Sequence, residues 1–217
     1  MNNIGFLYLI LFLMYILTAP WFLRKIFPSF LTWDIPNNNN EIYLTFDDGP
    51  NPVATPFVLN LLQQYQAKAT FFCIGKNVKE QPQLYKKILD EGHRVGNHTY
   101  NHLNGRKNND IDYIENIVEA AKIIDSNLFR PPYGSITSFQ AKQLIGIYRI
   151  IMWSVLSADF DTKISKEKCL SNVVKNIKPG SIIVFHDSEK AFPHLDYVLP
   201  KAMAFFAEKK YKMVKIK

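Results

Sequence analysis

The sequence predicts an α/β fold of parallel strands covered by helices, and two observations carry that expectation. From Glu41 to the C-terminus, apolar runs of strand length alternate with segments of helical spacing, the pattern of repeated strand–helix units. Five of the runs end in polar, mostly titratable residues: Asp47-Asp48, Asn97-His98, Arg130, Asp159 and His186-Asp187. Folds of this class build sites from loops at the carboxyl ends of their strands. Chance turn residues need not be acids, imidazoles or guanidiniums each time.

The elements follow in order. Ile42–Phe46 reads as a strand, with Ile42, Leu44 and Phe46 on one face, and it stops at Asp47-Asp48-Gly49-Pro50. Phe57, Val58, Leu61, Leu62 and Tyr65 have helical spacing, and Ala69–Ile74 is a continuous apolar strand. Pro82 suits the first turn of a helix that Gly92 ends, and Arg94–Asn97 is a short strand leading to a histidine pair. A helix over 111–124, a strand at Leu128–Arg130, a helix over 139–145 and a strand over 148–154 follow. A helix over 166–177, a strand over 181–185, a helix over 195–207 and a strand over 212–216 complete the chain. No fixed-period repeat is present.

Residues 1–25 form a separate unit. Ile4–Leu23 carries no charge and is long enough to cross a bilayer as a helix, with Tyr15 and Trp21 suited to headgroup depth. The start lacks a basic side chain and Thr18-Ala19-Pro20 is a poor cleavage site, so an uncleaved N-terminal transmembrane anchor is favoured over a signal peptide. Arg24 and Lys25 would hold the following domain in the cytoplasm; a cell-envelope substrate needs the opposite orientation. Residues 26–40, with Pro28, Pro36 and the Asn37–Asn40 tract, read as a linker, and 41–217 as the globular domain.

Of the 217 residues, 47% are hydrophobic and 21% charged, which excludes global disorder. The net charge of +7 suits an anionic polymer or membrane surface without identifying one, and no compact basic–aromatic module points to nucleic acid. Cys73 and Cys169 are too few for a disulfide framework or a cysteine metal site.

Two adjacent carboxylates at one strand end do not ionise independently. Asp-Asp-Gly is also good turn chemistry. His98-x3-His102 would point two imidazoles the same way on one helical turn. With one carboxylate they make three ligands and leave open positions, as catalytic divalent-metal sites require.

In order, Thr45-Phe46-Asp47-Asp48-Gly49-Pro50, His98-Thr99-Tyr100-Asn101-His102, Arg130-Pro131-Pro132-Tyr133-Gly134 and Ile182-Ile183-Val184-Phe185-His186-Asp187 resemble the polysaccharide deacetylases, the NodB homology domain of carbohydrate esterase family 4. The resemblance covers Glu41 to the C-terminus. It implies a distorted (β/α) barrel with fewer than eight strands and metal-dependent hydrolysis of N-acetyl groups on an amino-sugar polymer such as peptidoglycan, a chitin-like chain or an exopolysaccharide. It further implies Asp48, His98 and His102 as ligands of a divalent metal, zinc first, with cobalt or nickel as alternatives. Asp47 would be general base and His186 general acid. Tyr133 would be a backbone oxyanion donor, Arg130 would hold Asp47, and Asp159 would hold Arg130.

Two positions depart from the family pattern: Phe160 follows Asp159 where tryptophan is usual, and Leu156 stands where many members carry another acid. They motivate an alternative, a catalytically weak, membrane-tethered carbohydrate-binding module. A further alternative is the same hydrolysis on a non-sugar amide or an O-acetyl ester. A non-haem iron oxygenase also uses two histidines and a carboxylate, but leaves the base, arginine and acid segments unexplained. His93 and His194 read as surface or loop residues. Asp187 and Asn97 are candidates to support the site.

Overall fold

The computed structural model describes residues 30–217. The anchor expected over 4–23 lies outside them, and among the described residues no helix is long and apolar enough to cross a membrane.

The elements are β1 (Leu31–Thr32), β2 (Glu41–Asp47), α1 (Ala54–Gln64), β3 (Thr70–Cys73), α2 (Gly75–Glu80), α3 (Pro82–Asp90), β4 (Arg94–Asn97), α4 (Asp110–Ala121), β5 (Leu128–Phe129), α5 (Ser138–Leu144), β6 (Arg149–Ile151), β7 (Val155–Leu156), α6 (Lys166–Val174), β8 (Ile182–His186), α7 (Phe192–Glu208) and β9 (Lys212–Val214). A 3₁₀ turn over Pro132–Gly134 follows β5. Among the described residues one sheet of nine strands runs β1-β6-β5-β4-β3-β2-β8-β7, with β9 added beside β2. Every pairing between the strands is parallel.

Two corrections follow. The count of fewer than eight strands that the resemblance implies falls short by β1, which lies in the stretch read as linker, and β7, which directly follows the strand read over 148–154; each is two residues long. The stretch read as linker also contributes to the sheet: Leu31 and Thr32 pair with Ile150 and Ile151. Asp34 forms an antiparallel bridge to Ser181, and Ile35 N–H donates to the Gly180 carbonyl at 2.9 Å. These contacts draw the β1 edge towards β8, so the sheet curls into a barrel.

Period-two alternation sorts the side chains. Ile42, Leu44 and Phe46 of β2 and Phe71 and Cys73 of β3 pack in one core with Val58, Leu59 and Leu62 of α1 and Leu195, Val198 and Leu199 of α7. Phe46 lies between Phe71 and Phe185, with centroids 5.2 and 6.0 Å away. Tyr43, Phe72, Leu128, Ile151 and Ile182 point the other way and fill the barrel interior. Thr45 and Asp47 share the parity of Tyr43, so the strand register puts both inside the barrel.

Pro82 starts α3 at its first turn, Asn109 accepts from Asp112 N–H to cap α4, and Thr137 with Gln140 forms a capping box on α5. Two histidines are placed differently from the sequence reading. His93 is buried, its ring edge against Phe71 and its Nδ1 accepting from Ala69 N–H at 3.2 Å. Burial, with Lys68 and Lys215 nearby, lowers its pKa to about 4. His194 lies in α7, not in a loop, and its Nε2 bonds the Ile164 carbonyl at 2.9 Å.

Candidate active site

The site lies at the carboxyl ends of the central strands. Asp47 and His186 are paired neighbours on β2 and β8, and Thr45 pairs with Val184 two residues earlier. The chain leaves β2 sharply: Asp48 has φ 79° and its carbonyl accepts from Asn77 Nδ2 at 2.7 Å. Gly49 is needed where it stands, because a Cβ there would collide with the buried Asp187 carboxylate.

His98 and His102 do not share a helical turn. The segment is a loop in which Thr99 and His102 both take positive φ, 63° and 57°. Asn97 braces it: Oδ1 accepts from Thr99 N–H at 2.8 Å, and Nδ2 donates to the Ile117 carbonyl at 3.0 Å. The rings still converge, with centroids 5.1 Å apart. Nε2 of His98 and His102 lie 3.6 and 3.1 Å from Asp48 Oδ1. One ligand atom from each of the three residues falls within 4.8 Å of the others.

This donor set fits a divalent cation. Asp48 Oδ1 is buried without a hydrogen-bond partner. His98 Nδ1 sits 2.7 Å from the Arg130 carbonyl, which fixes the proton on Nδ1 and leaves the Nε2 lone pair facing Asp48. Burial, only partly offset by Asp47, lowers the His98 pKa to about 4, so this ring is neutral. For Asp48, burial opposes ionisation, but the rings of His102, His186 and His98 outweigh it and hold the carboxyl well below the usual range. A neutral imidazole at His98 and an ionised carboxylate at Asp48 are protonation states that metal ligation requires.

Arg130 is wholly buried and crosses the barrel interior. Nη1 donates to Asp47 Oδ1 and to Thr45 Oγ1, both at 2.7 Å. Nε and Nη2 donate to the carbonyls of Ile151 and Met152 at 3.2 and 2.9 Å. The guanidinium carbon lies 4.1 Å over the Phe72 ring. Thr45 Oγ1 in turn donates to the Ile183 carbonyl at 2.8 Å. Thr45 opens the first motif without a role of its own in the sequence reading, although its position two residues before Asp47 on the same strand face is the signal that finds it.

Asp159 is the correction of most consequence for the site. It does not touch Arg130. Its Oδ1 is 2.7 Å from His186 Nδ1, and its Oδ2 accepts from His186 N–H at 2.8 Å. Short spacing in sequence could not separate these pairings, because Arg130 and His186 both rise beside the same barrel mouth. Burial disfavours a charged His186, but the Asp159 carboxylate more than compensates and the ring pKa rises to about 9. Asp187 is buried behind β2, where it accepts from Thr55 Oγ1 at 2.5 Å and from Gly49 N–H at 3.2 Å.

Asp47, Asp48, His98, His102, Tyr133 and His186 all line one cavity of about 330 Å³. Its walls include Trp153, Leu156, Phe160 and Val184, with the Phe160 edge packed on His186 at 5.1 Å between centroids. Tyr133 has φ 60° and its hydroxyl lies 3.2 Å from His102 Nδ1. Arg130 and Asp159 lie behind this lining, holding Asp47 and His186 from below.

Residues 34–145 match the family model described as polysaccharide deacetylase. A peptidoglycan-N-acetylglucosamine deacetylase of Bacillus cereus is 37% identical over 196 residues, covering 87% of this chain and 92% of that protein. A chitooligosaccharide deacetylase of Azorhizobium caulinodans is 36% identical over 164 residues, covering 70% of this chain and 76% of that protein. Among solved structures, the Bc1960 peptidoglycan N-acetylglucosamine deacetylase, in complex with 4-naphthalen-1-yl-N-oxidanyl-benzamide, superposes with a TM-score of 0.81 at 34% identity, over 86% of this chain and 90% of that one. A protein of Bacillus anthracis described as a pseudoenzyme of carbohydrate esterase family 4 superposes with a TM-score of 0.73 at 25% identity, over 88% of this chain and 69% of that one. The fold agrees with these likenesses, and the chain belongs to the polysaccharide deacetylase family.

Proposed function

We propose that this chain removes N-acetyl groups from an N-acetylglucosamine polymer, peptidoglycan before chitin-like chains, in a metal-dependent hydrolysis that releases acetate and a free amine. One observation carries the reading: an ion-paired carboxylate, an acid-supported histidine and a two-histidine, one-aspartate cluster line the same cavity. Asp48, His98 and His102 would hold the metal. When bound, it supplies Lewis acidity to the acetyl carbonyl and to water.

The chain's own residues divide the proton work. Asp47, fixed by Arg130 at 2.7 Å, accepts the proton of the attacking water. His186, kept protonated by Asp159, donates from Nε2 to the departing nitrogen, which otherwise leaves as an unstable amide anion. The Tyr133 N–H donates to the developing oxyanion, a term of about 3 kcal/mol per donor. Trp153, Leu156, Phe160 and Val184 exclude water around the acetyl methyl. Ile4–Leu23 tethers the domain to a membrane, with the barrel on the cell-envelope side where such a polymer is found.

The pseudoenzyme neighbour keeps a binding-only reading in view. Against it stands the complete acid, base and ligand set around the cavity. The deciding experiment measures acetate release from peptidoglycan, chitin oligomers and acetylated xylan with zinc, cobalt or nickel added, alongside bound metal in two variants. Asp48→Asn should lose metal, while Asp47→Asn should keep metal and lose turnover. Polymer binding without acetate release under every metal would establish the binding module instead.

A further inference from the structure

All nine strands run the same way, so the barrel has one end that carries the site and one opposite end formed by strand starts. The opposite end is cationic. Arg149 begins β6, Lys212 begins β9, Lys178 precedes the turn into β8, Lys209 and Lys210 join α7 to β9, and Lys217 closes the chain; all six are exposed. They are neighbours in space as well. Arg149 Nη1 donates to the Lys217 carbonyl at 3.2 Å, and Asn40 Nδ2, just ahead of β2, donates to the carbonyls of Lys209 and Lys210 at 3.3 and 2.7 Å. Lys68, just ahead of β3, and Arg94, which begins β4, add to the cations, and the acids at this end are fewer: Asp34, Glu41 and Glu91 are half-buried, Asp90 is paired with Lys86 at 2.6 Å, Asp125 is exposed, and Glu208 is paired with Lys209 at 3.4 Å. Ile145 and Ile147, in the loop entering β6, are 46% and 66% exposed beside Arg149.

The described residues begin at this same end. Leu31 pairs with Ile150, one residue above Arg149, and β1 runs parallel to β6, so Phe30, the first described residue, lies on the side of the strand starts. The residues preceding it in the sequence include the uncharged stretch Ile4–Leu23. We infer that the end of the barrel opposite the active site rests on the surface of a bilayer rich in anionic lipid, with the lysines and Arg149 against headgroup phosphates and Ile145 and Ile147 at their edge. β2 spans the barrel in 7 residues, which places the catalytic mouth ~20 Å above that surface and facing away from it. The inference rests on the tether reading of Ile4–Leu23 and adds to it which face meets the lipid. A tether alone leaves the barrel free to tumble; the cationic end orients it. Each lysine near such a surface contributes about a fivefold factor in binding at moderate ionic strength.

The test uses the full chain reconstituted into vesicles of phosphatidylcholine alone or of phosphatidylcholine with phosphatidylglycerol, followed by amide hydrogen exchange. Exchange in 145–149 and 208–217 should slow severalfold only with phosphatidylglycerol, and recover in high salt. Combined Lys209→Glu, Lys210→Glu, Lys212→Glu and Lys217→Glu should abolish that protection while leaving acetate release from a soluble oligomer unchanged. Combined Lys76→Glu, Lys79→Glu and Lys107→Glu, away from the strand starts, should leave the protection intact. Equal exchange in both vesicle types, or equal loss from both variants, overturns the inference. Alkaline carbonate extraction of the same vesicles tests the tether by itself, since a chain that stays in the pellet yet shows no lipid-dependent protection keeps its anchor and loses the oriented face.

Discussion

Asp159 holds His186 twice, through the ring at 2.7 Å and through the backbone N–H at 2.8 Å. The double contact fixes both the position of the imidazole and its charge. A protonated ring with Nδ1 committed to Asp159 has Nε2 as its one remaining donor, and His186 lines the cavity. Because the ring pKa is raised to about 9, the acid form persists through neutrality and is lost above it.

Replacing Asp159 by Asn removes the charge that overcomes burial. The alkaline limb of the kcat profile should move down by more than one pH unit, and turnover at pH 8 should fall at least about tenfold. KM should change less than kcat, because Asp159 lies behind the cavity lining and acts through His186. A pH–rate series on both proteins checks this.

Arg130 is a buried cation whose ionic partner is Asp47. Arg130→Met leaves the Asp47 carboxylate buried and unpaired, and should lower unfolding free energy by about 3–5 kcal/mol. Arg130→Lys keeps the charge but cannot reach Asp47, Thr45, Ile151 and Met152 together, as the guanidinium does. Its stability should recover in part and its activity should not. Denaturant midpoints and acetate release separate the two effects.

Asp187 makes stability depend on pH. Burial, reinforced by Asp48 and Asp47 and only partly relieved by Thr55, raises its pKa to about 8. A carboxyl raised above its unfolded value of about 3.9 takes up a proton on folding. Stability is therefore greatest below that value and declines as pH rises towards 8. His186, also raised, adds a decline between about 6.5 and 9. Thermal unfolding of chelator-treated protein between pH 5 and pH 8 should show a falling midpoint, and Asp187→Asn should flatten the part below pH 6.5, where His186 contributes little.

Gly49→Ala drives a methyl group into the Asp187 carboxylate. Overpacking of this kind costs about 1–3 kcal/mol. Relief of the clash must shift the turn that carries Asp48, so metal affinity should fall along with stability. An Asp187→Ser, Gly49→Ala double variant opens the space and should regain metal, measured by competition with a chromogenic chelator.

Much of this protein is decided locally. Alternation along β2 sends Leu44 and Phe46 outward and Thr45 and Asp47 inward, and the ordered motifs point to the family to which the chain belongs. Composition and spacing are enough for that because they reflect strand parity and the residue types that proton transfer and ligation require. The pairings inside the site were decided only in three dimensions. Asp159 is 27 residues from His186 and Arg130 is 83 from Asp47, and which acid meets which base depends on how the curled sheet brings β2, β5, β6 and β8 to one mouth. The two-residue strands β1, β5 and β7 carry no alternation of their own and exist through their neighbours' hydrogen bonds. His98 and His102 meet because Thr99 and His102 take left-handed backbone angles, not because of helical spacing, and a loop of that kind is held by Asn97 and its tertiary partners.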